Sequence, residues 1–141
     1  MTTRALALAV LLGLGLAACG GGSSHANTTS TTSSAAASAL ADRGAGLVQV
    51  KPCLVCHTTN GASAAGPTFA GLAGSRVKLT DGATITADDA YLKRSIIDPE
   101  AQTVAGYTKG LMTTLVKPHS ITPRDADAIV AYIDTLAAPG K

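Results

Sequence analysis

Large side chains are what this sequence most lacks. It has no tryptophan, one phenylalanine and three tyrosines, so aromatics make up 3 % of its 141 residues. Phe69, Tyr91, Tyr107 and Tyr132 cannot by themselves fill the core of a domain of about 100 residues. Charge of one sign is also lacking. Lys and Arg number 11 against 9 Asp and Glu, a balance that gives no argument for nucleic-acid binding. Cysteine is scarce, with three in the chain. A domain with few bulky residues needs another source of apolar volume.

Cys53-Leu54-Val55-Cys56-His57 supplies one. Two thiols three positions apart can add across the two vinyl groups of a haem, and the adjacent histidine can reach the iron from one face. The pair could instead be a redox disulfide or half of a zinc site. A thioredoxin-type motif follows a strand in a βαβ unit, which the pattern here does not contain, and zinc would need two further ligands. One covalent haem c through Cys53 and Cys56, with its iron, is therefore the expected cofactor. The buried porphyrin would provide the missing core volume.

The third cysteine lies at the other end of a leader. Residues 1–18 run from Arg4 through an apolar stretch to Leu16-Ala17-Ala18, a secretory signal with small residues before the cleavage point. Leu-Ala-Ala-Cys resembles a bacterial lipobox, which makes Cys19 the expected lipidation site. A plain signal peptide or a short membrane anchor are the alternatives, but the apolar stretch is too short to span a bilayer comfortably. Residues 19–38, Cys19 followed by Gly, Ser, Thr, Ala and Asn with His25, read as a flexible tether with a reach of roughly 25 Å. One small domain, 39–141, follows.

Helix signals fall in three places. Ala39–Val50 is rich in helix formers and leads into the cysteines, with Gly44 and Gly46 weakening it. Thr86 and Asp89 read as a capping pair opening a helix over Ala87–Ile97, with Tyr91, Leu92, Ser95 and Ile96 on one face. Thr122, Pro123 and Asp125 start a third helix with apolar residues at Ala126, Ile129, Val130, Ile133, Leu136 and Ala137, stopping at Pro139-Gly140. Asp81-Gly82 between Val77–Thr80 and Ala83–Ile85 suits a small hairpin. Two long loops, 58–76 and 100–121, need an object to wrap. The second contains Met112, which is the sole methionine once the leader is removed and is the leading candidate for a second axial ligand; His119 is its rival.

In order and spacing, the segments Cys53–Thr58, Gly66–Leu72, Asp81-Gly82, Ala87–Leu92, Ile97–Pro99, Gly106-Tyr107 and Ala131–Ile133 resemble the class I cytochromes c. The closest likeness is to the cytochrome c domain of subunit II of caa-type haem-copper oxidases, without that subunit's copper-binding and membrane-spanning parts. The resemblance implies an all-α fold of about three to five helices wrapped around one haem. It also implies axial His57 and Met112, a Pro67 carbonyl accepting from the other His57 nitrogen, and Gly44 crossing near Tyr132. Three positions depart from the family pattern: Val48 where an aromatic often packs, Ala73 where tyrosine is common, and Thr113 where proline usually follows the methionine.

A closed coordination sphere leaves one-electron change as the accessible chemistry, and no nucleophile, acid–base pair or small-molecule substrate site is visible in the rest of the chain. The expectation is an electron-transfer protein, not an enzyme. It would be bacterial, lipid-anchored with the haem domain on the extracytoplasmic side, and would work between partners such as a quinol–cytochrome c reductase and a terminal oxidase. Lys51, Lys109 and Lys117 flank the ligand segments and could ring the haem edge. The competing readings are a haem-based sensor or small peroxidase whose Met112 loop opens, and a fixed subunit of an oxidase or dehydrogenase complex.

Overall fold

The computed structural model describes residues 26–117 and 120–140. The expected leader 1–18, Cys19 with its lipid, His25 and the rival ligand His119 lie outside these residues.

Among the described residues the protein is mostly helical: α1 Ala26–Val50, α2 Asp89–Ile97, α3 Leu111–Leu115 and α4 Pro123–Asp134, with strands β1 Arg76–Lys78 and β2 Thr84–Thr86. α1 packs chiefly on α4, and α4 also meets α2. The crossing of α1 and α4 is made possible by Gly44. A Cβ there would run into the Ala128 carbonyl oxygen and lie 2.8 Å from Tyr132 Cβ, so the close approach expected near Tyr132 is present. Arg43, one residue away, donates to Asp125 Oδ1 at 2.6 Å. Val48 and Ile133 are the largest fully buried side chains, and both belong to the core shared with Phe69, Leu79, Leu92 and Ile129. A valine thus occupies the core position where the resemblance expects an aromatic.

α1 starts earlier than the helix expected over Ala39–Val50. The helix begins at Ala26 instead of Ala39, so residues 26–38 are helical and not coil. Residues 32–40 are exposed along it. Extending a helix whose later turns are already docked avoids the cost of nucleation, and Ala35, Ala36, Ala37 and Ala39 are strong helix formers.

The cap of α2 also differs from expectation. Thr86 is committed to β2 opposite Arg76, and Ala87 N–H donates to the Ser75 carbonyl. Asp88 becomes the N-cap, its carboxylate accepting from Tyr91 N–H at 2.8 Å. The α4 cap is as expected: Thr122 accepts from Asp125 N–H at 3.1 Å and its hydroxyl donates to Asp125 Oδ2 at 2.9 Å. That helix ends at Asp134, short of the expected Pro139. β1 and β2 pair antiparallel with Val77 opposite Ile85, and the expected turn is present, with Gly82 at φ +90°.

Candidate haem site

The motif begins where α1 ends. Lys51 N–H closes the last turn onto the Leu47 carbonyl, and Pro52 opens a 3₁₀ turn over Pro52–Val55. Both Cys56 and His57 donate their N–H groups to the Cys53 carbonyl, at 3.3 and 3.0 Å, which curls the segment so that Cys53, Cys56 and His57 all line one cavity. Both thiols are free and half-buried. Burial pushes the Cys53 thiol up, partly offset by a backbone N–H and by Lys51.

His57 is held from three sides. Its Nδ1 lies 2.7 Å from the Pro67 carbonyl oxygen. A carbonyl can only accept, so Nδ1 carries the proton and Nε2 keeps its lone pair. The Phe69 ring stacks on the imidazole with centroids 4.6 Å apart and planes 16° from parallel. On another side Gly66 comes so close that a Cβ would lie 2.7 Å from His57 Cε1. Burial lowers the His57 pKa, with the Pro67 hydrogen bond opposing, so the ring stays in the neutral form a metal ligand needs.

The loop bearing these supports is itself pinned to the motif. Gly66 N–H donates to the Cys56 carbonyl and Phe69 N–H to the Thr58 carbonyl, both at 2.7 Å. Thr68 Oγ1 donates to that same Thr58 oxygen. Across the cavity, α2 presents the face expected from its periodicity: Tyr91, Leu92, Ser95 and Ile96 all line it. Met112 lines it too, from the first turn of α3. An isolated bridge between Leu79 and Val104 ties the loop 98–110 to the hairpin. Of the three lysines thought to ring the site, Lys109 lines the cavity and Lys51 donates instead to the Ser120 carbonyl at 3.2 Å.

The residues fit a covalent haem. Two free thiols, a neutral imidazole with an available Nε2 and a thioether sulfur converge on one cavity walled by the side chains of Phe69, Leu72, Val77, Leu92, Ile129 and Ile133. The alternatives lack their parts: no group of three or more His, Cys, Asp or Glu side chains suited to a metal occurs among the described residues, and the Cys pair follows a helix instead of a strand. Fold and site together define an all-α protein that binds haem c covalently, with one iron. The cytochrome c family model matches residues 41–137, and the chain belongs to the cytochrome c family. No curated protein matches the sequence. The family makes it a haem-based electron-transfer protein, in agreement with the non-enzymatic role expected from the sequence.

Two supports of the site were not assigned a role from the sequence. Phe69 and Gly66 stand in the Gly66–Leu72 segment that carried the resemblance, and only a structure shows that both press on the His57 ring. The Thr113 hydroxyl, which bonds to Gly110 and Glu100, was visible only as a missing proline.

Proposed function

We propose that this protein is a membrane-tethered, single-haem electron carrier with His57 and Met112 as the axial ligands. The observation that carries this reading is that His57 Nε2, left free by the Nδ1 bond to Pro67, and the Met112 side chain border the same cavity. Bound haem supplies a reversible one-electron change between ferrous and ferric iron. The chain's part is to keep His57 neutral and oriented, to offer a soft thioether that favours the ferrous state, and to exclude water with apolar walls. The likeness to the haem domain of caa-type oxidase subunit II supports a place in respiratory electron flow. Redox proteins such as a quinol–cytochrome c reductase and a terminal oxidase are then donor and acceptor. Lipid on Cys19 would hold the carrier on the extracytoplasmic face of a bacterial membrane, raising its concentration beside membrane partners.

The ligand assignment is tested by spectra of the purified protein in both redox states. Ferric protein should show the weak long-wavelength band of iron–thioether ligation. Met112→Ala should abolish that band, lower the potential and admit exogenous ligands, while His119→Ala leaves all three unchanged. The reverse pattern would make the haem bis-histidine. Fast ligand binding by the wild-type ferrous protein would instead favour a sensor or peroxidase, and co-purification in fixed stoichiometry a subunit of a larger complex.

A further inference from the structure

α3 is five residues long, too short to hold its own shape in water. Its C-terminal end is anchored by Val116, which is buried and donates its N–H to the Met112 carbonyl at 2.8 Å. Its N-terminal end has a weaker backbone anchor, Leu111 N–H donating to the Thr108 carbonyl at 3.4 Å. Gly110, the N-cap, sits at φ +81° and offers no side chain. The half-buried Thr113 side chain reinforces this end. Its hydroxyl lies 2.8 Å from the Gly110 carbonyl and 3.3 Å from Glu100 Oε1.

A hydroxyl has one proton, so the shorter bond to Gly110 is the principal one and the carboxylate takes the second branch. The two contacts do different work. The Gly110 bond closes the turn locally, whereas the Glu100 contact joins α3 to the loop that follows α2, 13 positions earlier. The same carboxylate oxygen faces Gly110, where an added Cβ would lie 4.0 Å from it. Glu100 therefore flanks both the cap and the third residue of the helix that carries Met112.

We propose that Thr113 and Glu100 form a latch that positions Met112, replacing the proline that follows the ligand methionine in the family pattern. The inference rests on the reading of Met112 as the sixth ligand. Proline restrains a chain by locking φ and has no donor; Thr113 restrains it by a hydrogen bond that can break and re-form. The latch makes Thr113 a positioning residue, because it acts on the iron only through Met112.

The test is imidazole binding to the ferric holoprotein, full chain, followed by loss of the long-wavelength band. Thr113→Val keeps the shape of the side chain and removes the hydroxyl, and should raise imidazole affinity about three- to tenfold, the factor a lost hydrogen bond implies. Thr113→Ser should behave as wild type. Glu100→Ala should move affinity in the same direction by less, Glu100→Gln should restore it, and Thr113→Val with Glu100→Ala should exceed Thr113→Val alone by little. If Thr113→Val folds poorly, the exposed Glu100 pair decides alone. Unchanged imidazole affinity in Thr113→Val, or in Glu100→Ala when that pair decides, would overturn the latch provided Met112→Ala has lost the band. Retention of the band in Met112→Ala would overturn the ligand reading itself.

Discussion

At the scale of single residues, the site is organised around one imidazole. Pro67 fixes its tautomer, Phe69 its plane and Gly66 the space beside it. Proline and glycine here supply a carbonyl and a bare Cα, and neither could be recognised as a support from residue type alone. Gly66→Ala places a methyl group 2.7 Å from His57 Cε1, where the ring must turn and strain its bond to Pro67. Overpacking of this kind costs about 1–3 kcal/mol. The holoprotein should therefore unfold at lower denaturant concentration and show an altered potential. A variant with wild-type stability and potential would mean that the loop absorbs the methyl group without moving the ring.

At the scale of elements, the two glycines of α1 separate packing from propensity. Gly44 touches the Ala128 carbonyl, whereas Gly46 is exposed with nothing within 4 Å of its added Cβ. Gly44→Ala should cost about 1–3 kcal/mol, while Gly46→Ala should stabilise by about 0.5–1 kcal/mol. Chemical denaturation of the two variants checks the contrast, and equal effects would refute it. The clamp between these helices also has a pH signature. Hydrogen bonds from Arg43 first and Thr122 second hold the Asp125 carboxyl below its ordinary value. A carboxyl with a depressed folded pKa contributes fully above its unfolded pKa of about 4 and loses that contribution as pH falls through the folded value. Asp125→Asn should thus lower stability at neutral pH and flatten its decline on the acid side, seen in melting temperatures across pH. The periodicity of α4, its Thr122 cap and the Asp81-Gly82 hairpin were legible because each depends on near neighbours in sequence. The α2 cap was misplaced because Thr86 answers to Arg76 across the sheet, and the start of α1 because a docked helix propagates into a segment whose composition alone reads as coil. α3 went unseen, being held by Val116 and the Thr113 hydroxyl and not by any pattern of its own.

At the scale of the whole molecule, the proposed lipid tether rests on one cysteine. Cys19→Ser should shift the holoprotein from the membrane fraction to the soluble fraction of fractionated cells with its haem spectrum unchanged. A serine variant that stays membrane-bound would replace the lipid with a retained leader as the anchor. The domain itself is closed by its two ends: Arg43 and Asp125, 82 positions apart, meet where α1 crosses α4. Bringing such distant segments together costs about 4 kcal/mol of loop entropy, and contacts between remote parts of a chain slow folding. Cys53 and Cys56 lie inside that loop. Until the ends meet, their thiols are in water; afterwards Cys53 is half-buried and its thiol is harder to ionise. Thioether formation on the open chain would therefore meet thiols that closure of the clasp has not yet withdrawn from water.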